Sequence, residues 1–226
     1  MRHRILVVFG LIIAAMSVTA ASAAAELVAW DSFSDGEAAV ADSGGTWAQV
    51  NHTWSVQDGQ AVATAGRLRI GYAVMATPVS DGFTVQADIT TSPTYDRAAP
   101  ALVTNWVDNK NNMVTKLEVT PGHPGGMLAV GDQIDGQIHS TLCKVDRLGL
   151  TNGVTYRLSV TRTGDIVTGS VTSLVDGSLI GSCSAVLSSE ALTAFGAGTG
   201  QGLRVKIKDD EDDGGSRWDN FAVFTN

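Results

Sequence analysis

Apolar residues in this chain recur at every second position, and that alternation restricts the fold more than any other feature. "FTVQADIT" places Phe83, Val85, Ala87 and Ile89 on one face. "VTYRLSVTR" sets Tyr156, Leu158 and Val160 against Arg157, Ser159 and Thr161, and "LRVKIKD" sets Leu203, Val205 and Ile207 against Arg204, Lys206 and Lys208. A period of two with a polar alternate face belongs to antiparallel strands wetted on one side. No segment sustains a helical period. "SSEALTAF" (188–195) is predicted to form one or two helical turns, with Ser189 as a cap. Hairpin dipeptides Asp58-Gly59, Gly164-Asp165 and Asp176-Gly177 punctuate the strands, and "VDNKNNMV" reads as a longer, Asn-rich hairpin loop. About a dozen strands with local connections and no linker or repeat bury their apolar faces most simply as two packed sheets. The expected fold is therefore all-β, a two-sheet antiparallel β-sandwich.

The N-terminus has a different character. Arg2 and Arg4 precede an unbroken apolar stretch, "ILVVFGLIIAAMSVTA", and then the small residues of "ASAAA". A basic start, an apolar core and an A-x-A site predict a secretory signal peptide over 1–25, cut after Ala23 or Ala25, with an uncleaved membrane anchor as the alternative. The expected mature unit, 26–226, is one sandwich domain that is secreted and carries no membrane span. Cleavage removes two of the 15 basic residues and leaves all 23 acids. Such a surface repels phosphate backbones, so nucleic acid is not an expected partner.

Two cysteines, Cys143 and Cys183, stand in strand-like segments. In an oxidising compartment with no third thiol to compete, a Cys143–Cys183 disulfide is expected, with two separately buried thiols as the alternative.

Several stretches occur in an order that resembles the concanavalin A-like lectin/glucanase superfamily, in its laminin G-like and carbohydrate-binding-module branches. They are "WDSFSDG" (30–36), "TWSVQDGQAV" (53–62), "ALVTNWVDNKNNMVTKLEV" (101–119), "LTNGVTYRLSVTRTGD" (150–165) and "RWDNFAVF" (217–224). The resemblance implies a jelly-roll sandwich and, as function, a secreted non-catalytic carbohydrate-binding domain whose partner is a glycan or cell-surface polysaccharide. It also implies that Asp31 and Asp219, on the first and last strands, can lie together and hold a structural Ca2+. A structural or adhesive envelope or virion-derived sandwich shares the fold and needs no sugar site. The glucanases of the superfamily use a Glu-x-Asp-x-(x)-Glu strand. The mature glutamates Glu26, Glu37, Glu118, Glu190 and Glu211 form no such array, so no catalytic residue is assigned. A hydrolase or lyase built from distant residues is the least favoured reading.

The candidate ligand residues follow from side-chain chemistry. Trp106, beside Asn105 and Asp108 at the mouth of a hairpin, offers an aromatic face flanked by polar groups, as a sugar requires. A packed corner tryptophan is the other reading. The proline-bracketed loop "SPTYDRAAP" adds Tyr95, Asp96 and Arg97, a ring, an acceptor and a donor. Trp47, in "SGGTWAQV", is expected to be exposed, whereas Trp54 is expected in the core. His123 is expected to face solvent. The acid run Asp209-x-Glu211-x-Asp213-Gly214 has calcium-loop spacing but lies between strands, and it is read as a solvated turn.

Overall fold

The computed structural model describes residues 25–63, 70–77, 79, 82–93, 98–207 and 215–225. The predicted signal peptide, the loop residues Tyr95, Asp96 and Arg97, and the acid run lie outside the described residues. In chain order the first strands are β1 (Glu26–Asp31), β2 (Trp47–Val50), β3 (Trp54–Gln57), β4 (Gln60–Ala63) and β5 (Ile70–Ala76). The long central strands follow: β6 (Gly82–Thr90), β7 (Ala98–Trp106), β8 (Asn112–Thr120), β9 (His123–Ile134) and β10 (Gln137–Asp146). The chain ends with β11 (Thr155–Thr163), β12 (Ile166–Ser173), β13 (Leu179–Val186), helix α1 (Ser189–Phe195), β14 (Gly200–Ile207) and β15 (Arg217–Thr225).

Two antiparallel sheets face each other. One runs β13-β12-β11-β6-β15-β4-β3, with β1 added against β15, and the other runs β10-β9-β8-β7-β14-β5-β2. Strand makes up 64% of the described residues, so the all-β expectation holds. The alternation read from the sequence sets the faces. Phe83, Val85, Ala87 and Ile89 on β6 and Leu158 and Val160 on β11 meet Leu102, Leu117, Leu128, Val130, Leu203, Val205 and Ile207 in one continuous core. The outer face of the first sheet is polar, with Thr84 on Thr161 (3.0 Å), Thr90 on Thr155 (2.7 Å) and a bidentate Arg157–Asp88 pair.

Local chemistry fixes the connections. Asp58 (φ 52°) and Gly59 (φ 73°) close the β3–β4 hairpin as a two-residue turn with both central residues in the left-handed region. Helix α1 is capped by Ser188, one residue earlier than expected, its Oγ accepting from the Ala191 amide at 3.1 Å. Cys143 on β10 and Cys183 on β13 form a disulfide. Each strand is the edge of its own sheet, so the bond fastens one rim of the sandwich.

Candidate functional site

The outer face of the second sheet differs from that of the first. Tyr72, Val74 and Val103 form a second apolar cluster there, with Val50, Ile70 and Trp106 packed against it. Tyr72 and Val103 are fully buried, although no strand or helix among the described residues forms a further layer over them. The sheet itself is curved here. The Tyr72 hydroxyl on β5 donates to Gln133 Oε1 on β9 at 3.4 Å, across β14, β7 and β8. A flat sheet keeps those strands roughly 19 Å apart at the usual interstrand spacing, so the sheet must curl towards this face. The Gln133 amide in turn donates to the Asn109 carbonyl at 3.0 Å.

Beside this bridge lies a recess of about 80 Å³ whose lining includes Lys116, Gln133, Thr141, Arg204 and Lys206. Arg204 lies against the Tyr72 ring, 5.8 Å from its centroid. The Tyr72 ring also meets the Trp106 ring, centroids 4.5 Å apart and planes tilted by 57°. Gly200 permits this approach: a Cβ there would stand 2.7 Å from both the Trp106 Cβ and a Val74 methyl. The concave face thus combines an aromatic pair, amide and hydroxyl groups, and cations.

The sequence-predicted residues are distributed differently. Trp106 is half-buried and belongs to this concave face. Asn105 does not: it is 1% exposed, with φ 50°, and that backbone turn sends its side chain the other way. Its amide donates to the Gly196 and Gly198 carbonyls at 3.5 and 3.3 Å, which ties β7 to the segment after α1. Asp108 receives the Lys110 and Asn111 amides at 2.7 and 2.8 Å and shapes its own hairpin. Trp47 is not exposed. It is 5% exposed because its ring packs between Phe33 and Phe221, and its indole N–H donates to Asp31 Oδ2 at 2.6 Å. Trp54 is in the core as expected, edge-on to Trp218 at 5.0 Å. His123 is partly buried and paired with Asp146 at 3.0 Å. Sequence reasoning does not single out Tyr72, Arg204 or Gln133, although the alternation in "LRVKIKD" places Arg204 off the core.

Asp31 and Asp219 are not brought together. Asp31 stands in register with Phe221, on the core side, and also accepts the Phe33 amide at 2.8 Å. Burial pushes its carboxyl above the ordinary aspartate value. Regular alternation would put Asp219 on that same side. A bulge between Asp219 and Ala222, with Asn220 at φ 48°, reverses it. Asp219 instead stands in register with Asp88, whose side chain meets Arg157 on the outer face, and burial together with the Asp88 charge raises its pKa. Carboxylates on opposite faces of one sheet do not fit a shared Ca2+. Among the described residues no group of three or more His, Cys, Asp or Glu side chains is placed to hold a metal.

No protein-family model matches the chain, and no curated protein matches it by sequence. Solved structures do match. The CBM2 module of Lactobacillus casei BL23 phage J-1 evolved Dit superposes with a TM-score of 0.60 at 11% identity, over 89% of this chain and 96% of that one. Winged bean acidic lectin complexed with methyl-α-D-galactose gives 0.53 at 10%, over 80% and 92%. The exoplasmic/lumenal domain of VIP36 in its Ca2+/Man3GlcNAc-bound form gives 0.55 at 11%, over 80% and 84%. At these identities the likeness is one of fold. The chain has the jelly-roll sandwich of the concanavalin A-like type.

Proposed function

We propose that this protein is a secreted, non-catalytic carbohydrate-binding domain, and that its ligand surface is the concave face of the second sheet. The observation that carries the reading is the contrast between the two outer faces. The first bears threonine pairs and a satisfied ion pair, as a solvated surface does. The second gathers an aromatic pair, buried polar groups and a recess in one concavity, the combination that suits C–H surfaces bordered by hydroxyls. Structural neighbours with the same fold include a carbohydrate-binding module and a lectin crystallised with a galactoside, which supports the reading. No helix among the described residues is long and apolar enough to cross a membrane, and the expected signal sequence supports export. Calcium forms no part of the proposal at Asp31 and Asp219. Tyr95, Asp96 and Arg97 remain proposed as an additional ligand loop.

The test is a glycan array probed with the exported protein, followed by titration of any retained glycan. Trp106→Ala should weaken that binding at least tenfold. Its melting temperature should fall by about 4–8 °C, because truncating a half-buried tryptophan costs about 2 kcal/mol, roughly half the penalty of a fully buried one. Unchanged affinity in the variant would move the ligand away from this face.

A further inference from the structure

The cations of the concave face are aligned. Register places Tyr72, Arg204, Ala101, Lys116, Ala129 and Lys144 in one row across β5, β14, β7, β8, β9 and β10. Lys206 lies two residues from Arg204 on the same face. Between them stand the small side chains of Ala101 and Ala129.

Their partners differ along the row. Lys116 has Glu118 at 2.7 Å and Lys144 has Asp146 at 3.0 Å. Arg204 pairs with no carboxylate among the described residues, and its buried Nε has no hydrogen-bond partner. It is 3% exposed. A guanidinium has five N–H donors, and burying it without an anion is costly. The acid in the lining, Asp132, stands in register with the core residue Met113, on the parity that alternates with Val114 and Lys116. The chain as a whole carries a net charge of −8, so a cationic recess runs against the general field of the protein.

On the reading that this face binds a glycan, we propose that the recess takes an acidic sugar, the carboxylate or sulfate of a polysaccharide meeting Arg204 and Lys206. The anion supplies the acceptors that Arg204 lacks among the described residues, in the strong charge-assisted form. The neutral part of the same glycan lies towards Tyr72 and Trp106.

Matched polymers test this: polygalacturonate against its methyl ester, and dextran sulfate against dextran. At least one acidic member should bind ten or more times tighter than its neutral counterpart. Its affinity should drop several-fold as salt rises and the screening length shortens from about 10 Å to about 3 Å. Which acidic member binds separates carboxylate from sulfate. Arg204→Gln should remove most of the preference. Lys206→Gln, at an exposed position that folding does not need, should reduce it about threefold, a charge at the rim of a site being worth a fraction of a buried one. Equal binding of acidic and neutral members, or an acid preference intact in both variants, overturns the inference and leaves the glycan reading standing. So does binding of neutral glycans on the array when none of the four polymers binds. Retention of no glycan at all overturns both.

Discussion

Removing the Cys143–Cys183 bond should lower stability by about 3–4 kcal/mol, the chain-entropy value for a loop of this size, since the two cysteines are 40 residues apart. For a domain of this length the corresponding fall in melting temperature is roughly 10 °C. The position of the bond strengthens the expectation. β10 and β13 are the outermost strands of different sheets, and hydrogen bonds hold each on one side only. The loss should therefore be local before it is global, with amide exchange rising first in β10 and β13. A functional effect should accompany it. Thr141, in the recess, and Lys144, in the cation row, flank Cys143 on β10, next to a register shift between Thr141 and Cys143. Loosening this strand should weaken glycan binding even at temperatures where the rest of the sandwich remains folded. Calorimetry and titration of the Cys143→Ser/Cys183→Ser double variant against the oxidised protein measure both effects. A shift under about 2 °C, well below the entropic value, would mean that packing alone secures this rim.

The sandwich was legible in the sequence because alternation is a local property. β6, β11 and β14 could be assigned inner and outer faces from short stretches of sequence, and the structure keeps those faces. The Asp58-Gly59 turn was readable for the same reason, because only two positions decide it. Alternation misleads where one residue takes a positive φ. Asn220 does so within β15, and Asp219 consequently changes side relative to Phe221. Asn105 does so at the end of β7, which puts its amide inside while Trp106 lies outside. In both cases the residue is asparagine, which tolerates that region, but nothing in a strand-like segment marks which asparagine will use it. The concave site was hidden for another reason. Tyr72, Arg204 and Lys116 become neighbours through register across four strands, and Tyr72 meets Gln133 only because the sheet curls. Register and curvature are tertiary quantities. The "LRVKIKD" pattern identified Arg204 as facing away from the core, and that is as far as a local pattern can lead.

Asp31→Ala should be among the most destabilising single substitutions in the chain, at about 4 kcal/mol, because it strands two donors in the core at about 1–3 kcal/mol each. Those donors are the Trp47 indole N–H and the Phe33 amide, and Asp31 itself is 1% exposed. Asp219→Ala, on the outer face, loses the hydrogen bond that Asp219 accepts from the Asn220 amide and should cost about 1 kcal/mol. A cation shared by the two aspartates would give a different pattern: similar losses in both variants, present in calcium and absent in chelator. The opposite-face geometry gives unequal losses that chelator does not change. pH provides a separate test of the Asp31 environment. Its carboxyl is raised above 3.8, by burial first, against the hydrogen bonds from Trp47 and Phe33, which lower it. The folded state therefore holds the proton more tightly than the unfolded state does. The stability this contributes is complete below the ordinary aspartate value and is lost as pH rises through the folded-state pKa. Asp31→Asn does not titrate, so the gap between its stability and that of the parent should shift against the parent as pH increases over that window. Asp219, also raised, adds a slope of the same sign, so the comparison is made in an Asp219→Asn background as well. A parent that gains on Asp31→Asn with rising pH would show that the ionised carboxylate, gripped by indole and amide, outweighs the cost of its burial.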